Sequence, residues 1–418
     1  MARVPWASHR RWFIVGLLFL LQIINYVDRQ ALSVLAPALR DQLGFSTEQY
    51  SYIVTCFLVA YMIGFAAGGR MLDVFGVKRT LAAAVCVWSV AGMLHAAART
   101  WVHLAAARLL LGLGEAVGPT GGAKAIGEWI PKRERGLCMA IFSNGLATGA
   151  VIAPPLVAFL ALKSGWQAAF LITGALGFLW LAVWLLRYYP PEADPRLTEP
   201  ERAVILAGRD QGQDRSASWR EVLSNPACYS LLLARFLTDP VPYFFTFWLP
   251  EYLRRSHDFS VALIGMVAWI PYLAADVGGL SGGAISDVLV RRGWTPVRAR
   301  RRLMLVAACL TPVAALAVRA DSAAVALACI GVVLAAHSCW TTNLQTFMTE
   351  RFPRSQVGTV IGLSGVGSSL GGIIAMLLTG VIVARHGYVP VFTVLGAMHA
   401  TAFVLLSLMN PTKKEPVS

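Results

Sequence analysis

The segment LLQIINYVDRQALSVLAP, from Leu20 to Pro37, sets an aspartate beside an arginine in the middle of a long apolar run. A charge at the centre of a bilayer costs roughly 2.5–3.5 kcal/mol on insertion scales. Asp28 and Arg29 are therefore expected to face a protein interior or a water-filled cavity rather than lipid. The length and apolarity of the run predict a helix that spans a membrane.

The polar residues of this helix follow the helical period. Gln22, Tyr26, Arg29 and Ser33 are spaced four, three and four residues apart, which stacks them on one face, and Asp28 lies on the adjoining stripe. A spanning helix with this much polarity on one side is typical of the wall of a polar pathway. The alternative is a structural ion pair that holds two helices together.

The composition of the whole chain is that of a membrane protein. Of the 418 residues, 57% are hydrophobic and 14% are charged, which is outside the range of ordinary soluble domains. Twelve apolar segments of about spanning length predict an all-α integral membrane protein. We number these spans 1 to 12 and place them near residues 12–38, 49–69, 80–98, 101–126, 136–161, 166–188, 227–252, 260–284, 301–319, 323–347, 357–383 and 388–409.

The net charge of +14 is a topology signal rather than a sign of nucleic-acid binding. With the spans in place, 25 of the 36 Lys and Arg residues lie on the side shared by both termini, and seven lie on the opposite side. The positive-inside rule makes the rich side cytoplasmic. We therefore expect a multi-pass inner-membrane protein with both termini in the cytoplasm, and no nucleic-acid-binding motif competes with that interpretation.

The longest polar stretch divides the spans six and six. Residues 189–226 are rich in charges, prolines and turn residues, and we expect them to form a cytoplasmic connector with a short amphipathic helix near Glu199–Arg209. The predicted domains are an N-terminal six-helix bundle over residues 1–188 and a C-terminal six-helix bundle over residues 227–418.

Two similar loops indicate that the halves are an internal repeat. Gly69 and Asp73 follow span 2, and Gly283 and Asp287 follow span 8, so both loops read Gly-x3-Asp before a short basic turn. The first loop, which continues to Gly76-x-Lys78-Arg79, resembles the signature loop of the major facilitator superfamily, although Val74 departs from the basic residue usual after the Asp.

Further motifs narrow the resemblance. Arg108-x3-Gly112-x-Gly114 in span 4 is similar to a second superfamily motif. Three segments resemble the anion:cation symporter branch, which carries organic anions: Asn25-Tyr26-x-Asp28-Arg29, residues 128–136 and Pro154-Pro155. The second half resembles bacterial hexuronate transporters in residues 234–240, 247–252 and 270–278 and in Trp340-x2-Asn343. The resemblance implies the major facilitator fold, in which two six-helix bundles are related by pseudo-symmetry. It also implies that the bundles give alternating access to a central site for a hexuronate such as glucuronate or galacturonate.

Candidate substrate-binding residues lie in both halves. Arg29 offers a fixed fork of donors that suits a bidentate carboxylate, and Tyr26 on the same face can reach a sugar hydroxyl. Tyr61 of span 2 can close the same wall, with interface packing as its alternative. In the second half we predict that Tyr243, Trp340 and Asn343 bind the sugar, the last two because they suit stacking and hydrogen bonding.

Candidate proton-coupling residues are Asp28 and Glu115, with Arg108 as a modulator. Burial favours the protonated form of a carboxyl and a nearby guanidinium favours the ionised form, so a movement that changes the partner changes the proton affinity. Arg108, Gly112 and Glu115 share one face of span 4, and the alternative for this pair of charges is a permanent salt bridge. Asp276 and His337 are further candidates for coupling.

Two groups of charged residues are expected at the cytoplasmic edge, namely Asp73 with Lys78 and Arg79, and Asp287 with Arg291. Each Asp can interact with a facing helix N-terminus or a basic side chain. The superfamily resemblance implies that such contacts gate the protein, latching the two halves shut on the cytoplasmic side in one state and releasing them in the other.

Enzyme classes are not favoured, because no Gly-x-Ser-x-Gly, Walker or HExxH motif occurs. The seven cysteines lack CxxC spacing, so we expect neither a cofactor nor a metal. Without an ATP-binding motif an ion gradient must supply the energy, and titratable carboxylates favour protons over sodium. The alternatives are a carrier of aldonate, aldarate, dicarboxylate or organic phosphate, or a transporter-like sugar-acid sensor. We expect a monomer whose partners are a small organic anion, protons and lipid.

Overall fold

A computed structural model describes residues 9–207, 223–352 and 354–409. Within these ranges the chain is almost entirely helical and contains no β-strand. The predicted all-α class is confirmed. Residues 208–222 of the predicted connector lie outside the described ranges.

The first half holds spans 1 to 6. Spans 2 and 3 are continuous except at Gly76, and spans 5 and 6 except at Gly165, where φ values of 76° and 85° are left-handed backbone that glycine adopts without a steric penalty. In chain order the helices are His9–Leu43, Thr47–Leu94, Trp101–Glu115, Val117–Trp129 and Lys132–Arg187.

The second half holds spans 7 to 12. Span 7 breaks between Thr238 and Pro240, as its prolines predict, because proline cannot donate the backbone hydrogen bond that would continue the helix. In chain order the helices are Pro226–Thr238, Pro240–His257, Val261–Val267, Ile270–Arg291, Pro296–Leu310, Ala314–Ala317, Ala323–Arg351, Arg354–His386 and Val389–Met409.

Seven helical stretches of the described residues are long and apolar enough to cross a membrane by length and composition. Two of them, Thr47–Ala97 and Glu134–Arg187, are 51 and 54 residues long and hold two spans each. Spans 4, 7 and 9 fall short of that length because each is broken into shorter helices. The seven stretches and the three broken spans together account for the twelve predicted spans.

Span 4 packs unusually close to its neighbours through two glycines. A Cβ on Gly112 would lie 2.4 Å from the carbonyl oxygen of Phe57 in span 2, and a Cβ on Gly114 would lie 2.9 Å from the carbonyl oxygen of Ala84 in span 3. Small residues permit such close approach of membrane helices. The motif glycines therefore set the depth of span 4, and with it the position of Glu115.

The first part of the connector is tied to the start of span 1. The fully buried carboxylate of Asp194 pairs with Arg10 at 2.7 Å, and Glu201 lies 3.5 Å from Arg11. Glu201 belongs to the helix Glu199–Ala207, which agrees with the short helix predicted near Glu199–Arg209. This part of the connector is therefore held to the first half by ion pairs.

The described chain groups into two compact units by contacts. Residues 9–207 with Phe259–Trp269 form the first unit, and residues 223–258 with 270–409 form the second. The predicted halves differ from these units in Phe259–Trp269, the beginning of span 8. Within the first unit, a Cβ on Gly265 would lie 2.4 Å from the Cβ of Ala158, so small residues bring this segment against span 5.

Candidate functional site

The charged centre of the first unit is an ion pair between spans 1 and 4. The Nε of Arg29 donates to Oε2 of Glu115 at 3.0 Å. Glu115 is fully buried, and the Arg29 side chain is 12% exposed. Asn25, one turn before Arg29, accepts from Nη2 of Arg29 at 3.1 Å and donates to the carbonyl of Glu115 at 3.3 Å. The pair is thus fixed by a hydrogen-bonded triangle.

Arg108 is anchored to the same centre without joining the ion pair. Its Nη1 donates to the backbone carbonyl of Arg29 at 3.0 Å, and its side chain is fully buried. The predicted alternative of a permanent Arg108–Glu115 salt bridge is wrong, because within the described residues Glu115 pairs with Arg29. Arg108 lies two helical turns before Glu115 on span 4, about 10 Å along the helix axis, whereas Arg29 of span 1 lies beside the Glu115 carboxylate.

Aromatic rings surround Arg29. Its guanidinium carbon lies 4.9 Å from the ring centroid of Tyr61, 5.2 Å from that of Phe57 and 5.6 Å from that of Tyr26. These distances are within the range of cation–π attraction. The structure therefore brings together the three residues of the first half that we predict to bind substrate, Tyr26, Arg29 and Tyr61, and both tyrosines remain partly exposed.

Asp28 lies beside this centre but does not pair with Arg29. Consecutive residues of a helix point in different directions, and Asp28 is 3% exposed against spans 3, 4 and 6. Within the described residues neither carboxylate oxygen meets the geometry of a hydrogen bond. Glu115, Arg108 and Thr173 are close enough to act on it electrostatically. The four charged groups of this centre, Asp28, Arg29, Arg108 and Glu115, balance when all are ionised.

The second unit places its predicted substrate residues differently. Trp340 is fully buried in a hydrophobic core and packs edge-on against His399 at 5.5 Å. Asn343 is also fully buried, and its amide donates to the carbonyl of Cys339 at 2.9 Å. The expectation that these two side chains present polar or stacking surface to a sugar is corrected here, because packing within the unit covers both. Tyr243 is partly exposed, with its hydroxyl 3.5 Å from that of Ser368.

The other polar groups of the second unit form local pairs. Arg235 and Asp239 are joined at 2.8 Å, one helical turn apart, as a structural pair. His337 lies 3.1 Å from His399, ring nitrogen to ring nitrogen. Asp276 is partly buried. Among the described residues no group of three or more His, Cys, Asp or Glu side chains is arranged to hold a metal.

The predicted gating residues find basic partners within their own units. Asp73 pairs with Lys124 of span 4 at 2.6 Å, and Asp287 pairs with Arg300 at 2.8 Å. Among the described residues, neither Lys78 nor Arg79 pairs with Asp73, and Arg291 does not pair with Asp287. The helix of spans 2 and 3 breaks at Gly76, between Asp73 and the two basic residues, so Lys78 and Arg79 belong to the next helical segment.

Lys78 faces the connector instead. Its ammonium lies 3.7 Å from the ring centroid of Tyr189. Partial burial lowers the pKa of Lys78, and the carboxylate of Asp194 acts in the opposite direction.

Sequence reasoning missed His95, a buried histidine at the end of span 3. It is 1% exposed, and Arg108 acts on it electrostatically. A single histidine in an apolar run carries no spacing pattern. The only available signal is that an ionisable residue in a spanning segment is expensive.

A helical membrane protein that keeps two guanidinium groups and two carboxyl groups inside one bundle has the construction of a transport protein, because such residues mark substrate or ion pathways. The family model described as Major Facilitator Superfamily matches residues 18–342 and 293–418. The chain belongs to the Major Facilitator Superfamily, whose members are transporters and not enzymes. The resemblance carried by the signature loop is thereby confirmed.

Similar proteins cover most of the chain. The hexuronate transporter of Escherichia coli (strain K12) is 33% identical over 392 residues, which are 92% of this chain and 90% of that protein. The galacturonate transporter of Dickeya chrysanthemi is 36% identical over 278 residues, 65% of this chain and 80% of that protein. The probable galactarate/D-glucarate transporter of Bacillus subtilis (strain 168) is 32% identical over 308 residues, 70% and 68% respectively.

Solved structures share the fold. The D-xylose-proton symporter superimposes with a TM-score of 0.77 at 16% identity and covers 97% of this chain and 99% of its own. A bacterial homologue of the human lysosomal transporter Spinster, inward-facing and unoccupied, has a TM-score of 0.72 at 18% identity and covers 98% and 96%. At these identities the likeness concerns the fold alone.

Proposed function

We propose that this protein imports a hexuronate, such as glucuronate or galacturonate, together with protons, by opening a substrate site alternately to the two sides of an inner membrane. The observation that carries the proposal is the buried Arg29–Glu115 pair in the first unit. Relatives that are 33% and 36% identical and are named hexuronate and galacturonate transporter support the substrate class. The excess of basic residues beside both termini supports a cytoplasmic location for them. We expect the protein to act as a monomer.

Arg29 is the group that would hold the substrate carboxylate. Glu115 occupies its Nε and Asn25 occupies Nη2, while Nη1 donates no hydrogen bond within the described residues. A second carboxylate can therefore approach the edge of the fork formed by the two Nη atoms, where bidentate pairing is strongest. Arg29 is also the partly exposed member of the ion pair, so the approach is not closed by packing.

Glu115 would couple this binding event to a proton. Two ionised carboxylates on one guanidinium repel each other, and protonation of Glu115 removes that repulsion. Proton binding then strengthens anion binding, and by linkage anion binding strengthens proton binding by the same factor. A carrier with this coupling loads the proton and the sugar acid together, which is the requirement for symport.

The aromatic surroundings of Arg29 suit the rest of the sugar. Tyr26 and Tyr61 each offer a hydroxyl for hydrogen bonding and a ring for contact with apolar sugar faces. Both lie within cation–π distance of Arg29, so a carboxylate held by Arg29 brings the sugar hydroxyls near them. The site favours a small anion that carries hydroxyl groups over a purely apolar acid.

The test is Arg29→Lys in protein reconstituted into liposomes. Lysine keeps the charge but loses the planar fork, and loss of a charge-assisted hydrogen bond costs about 1.5–3 kcal/mol. We expect hexuronate affinity to fall roughly 10- to 100-fold, with most uptake lost. Arg99→Lys, at an exposed position, is the matched control. Uptake by Arg29→Lys close to that of wild type, in folded protein, would remove the carboxylate clasp from the proposal.

The alternatives differ in substrate or in transport itself. Thermal shifts with hexuronates, aldonates, aldarates, dicarboxylates and organic phosphates rank the substrates, because binding stabilises the folded state by an amount set by concentration over affinity. Counterflow of labelled substrate in liposomes separates a carrier from a sugar-acid sensor, which gives none. Uptake driven by a sodium gradient in the absence of a pH gradient would show that sodium, and not protons, is the coupling ion.

A further inference from the structure

Several buried polar atoms of the first unit make no hydrogen bond among the described residues, and eight of them lie on the parts of spans 1, 3 and 4 that surround the charged centre and continue to His95. Buried polar groups in proteins are normally satisfied by protein or by ordered water. The eight atoms are Oδ1 and Oδ2 of Asp28, Trp88 Nε1, Ser89 Oγ, His95 Nε2, Nε and Nη2 of Arg108, and Oε1 of Glu115.

His95 is the member of this set with a free acceptor and a defined tautomer. Its Nδ1 lies 2.8 Å from the carbonyl oxygen of Ala91, so Nδ1 carries the hydrogen and Nε2 holds a lone pair. The ring stacks on Phe170 of span 6 with the centroids 5.0 Å apart. These two contacts fix the imidazole plane and leave Nε2 buried and unbonded.

Three features connect His95 to Asp28. Gly92, one turn before His95, faces Asp28 so closely that a Cβ there would lie 3.8 Å from Oδ1. The carbonyl of Phe170 accepts from Thr173 at 3.4 Å, and Thr173 acts on Asp28. Arg108 acts on both Asp28 and His95. The histidine and the aspartate therefore border the same buried region.

The atoms around this region complement one another for bridging water. Arg108 supplies two donors, while Asp28, Glu115 and His95 supply acceptors. A water molecule that accepts from Arg108 and donates to two of the acceptors has the three partners typical of buried water. The charged group that acts on His95 is Arg108 of span 4, Asp28 of span 1 lies beside Gly92 one turn away, and Phe170 of span 6, which stacks on the ring, is not titratable.

His95 also lies next to a surface. It begins the turn His95–Ala97 that ends span 3, and Ala97, Arg99 and Thr100 are exposed. By the charge distribution along the chain, this end of span 3 is on the side opposite the termini. His95 thus stands between that surface and Asp28.

We propose that His95 is the relay through which Asp28 exchanges protons with the side of the membrane opposite the termini. Nε2 accepts a proton that enters from the loop side, and the resulting imidazolium releases it from the same nitrogen through a bridging water to the Asp28 carboxylate, which leaves neutral imidazole and a protonated carboxyl. This inference rests on the proposed proton-coupled function.

The experiment compares His95→Gln with wild type in liposomes that contain the full chain, with labelled galacturonate as the probe. Gln keeps an amide near the Nε2 position but cannot carry a proton, so we expect pH-gradient-driven uptake to slow at least about ten-fold. Counterflow should be unchanged, because exchange requires only that the loaded protein change its facing. His95→Ala should recover part of the uptake rate when imidazole is added.

Two matched variants define the effect. His103→Gln changes an exposed histidine at the same membrane side and should leave both assays unchanged. If His95 acts through Asp28, the double variant of Asp28→Asn and His95→Gln should be no slower than Asp28→Asn alone.

Each outcome has a separate meaning. Wild-type vesicles without pH-gradient-driven uptake would overturn the proposed function and the relay with it. Wild-type uptake with an unimpaired His95→Gln would overturn the relay alone. Equal loss of uptake and counterflow in His95→Gln, without imidazole rescue of His95→Ala, would show a structural role and would also overturn the relay.

Discussion

Replacing Glu115 by Gln tests the coupling mechanism at its centre. The change keeps the size of the side chain and an oxygen that can accept from Arg29 Nε, but it removes the negative charge 3.0 Å away. Arg29 is then left with a hydrogen bond to Asn25 and no counterion. Under the proposed mechanism the protein would thereby lose the group that competes with substrate for the guanidinium.

The expected changes in stability and in substrate affinity follow from the burial of the Arg29–Glu115 pair. Breaking a buried ion pair destabilises a protein by about 3–5 kcal/mol, and because Gln retains the acceptor we expect the lower end of that range. A substrate carboxylate restores the missing counterion. A charge-assisted hydrogen bond is worth about 1.5–3 kcal/mol, so Glu115→Gln should bind hexuronate roughly 10- to 100-fold more tightly than wild type at neutral pH.

Two assays measure the effect. In detergent, thermal shifts with galacturonate should show that wild-type affinity rises as the pH is lowered, because protonation of Glu115 frees Arg29, whereas the affinity of Glu115→Gln should not change. In liposomes, Glu115→Gln should fail to accumulate substrate under a pH gradient and should retain counterflow. Glu199→Gln, at a side chain that is 78% exposed, is the control.

The refuting result is equally specific. If Glu115→Gln still concentrates substrate in response to a pH gradient, Glu115 is a structural partner of Arg29 and does not carry the coupled proton. Coupling would then have to lie at Asp28, Asp276 or His337.

Two further predictions concern stability. Gly112→Ala forces a methyl group to within 2.4 Å of the Phe57 carbonyl and should cost about 1–3 kcal/mol and lower the melting temperature, whereas Gly127→Ala, which meets no atom within 4 Å, should not. An unchanged melting temperature in Gly112→Ala would contradict the close packing of span 4. Asp194→Asn should destabilise the protein by up to about 3–5 kcal/mol because it leaves Arg10 without its buried partner, and it should speed tryptic cleavage of the connector, while Glu199→Gln changes either by little. Cleavage of Asp194→Asn at the wild-type rate would contradict the anchoring role.

The fold was predictable from the chain because the bilayer permits few solutions. Apolar length alone gives the spans, and proline at residue 240 gives the break in span 7. The break in span 4 between Glu115 and Val117 was not predicted, although Pro119, which cannot donate a backbone hydrogen bond to the Glu115 carbonyl four residues earlier, marks it in the sequence. The connector helix was predicted from its observed start at Glu199, since its charge and apolar pattern are local properties.

The arrangement of the site was predictable only where the residues involved lie on a single helix. The helical period places Tyr26 and Arg29 on one face, and the structure adds Tyr61 to them. The partner of Glu115 was not predictable, because it depends on how span 4 packs against span 1. Trp340 illustrates the converse error, since an aromatic residue at a helical position has the same pattern whether it packs in a core or faces a ligand.

The charge balance of the first unit connects these residues to the energy source. Asp28, Arg29, Arg108 and Glu115 sum to zero when all four are ionised. Under the proposed mechanism, one proton on Glu115 with one hexuronate carboxylate on Arg29 leaves the sum at zero, so the loaded site would move without net charge and only the pH gradient would drive it. A second proton, delivered through His95 to Asp28, would make the loaded site positive, and the membrane potential would then drive it inward as well. Under this mechanism the two carboxyls would differ in role, because Glu115 would link the proton to the substrate while Asp28 would decide whether the membrane potential contributes.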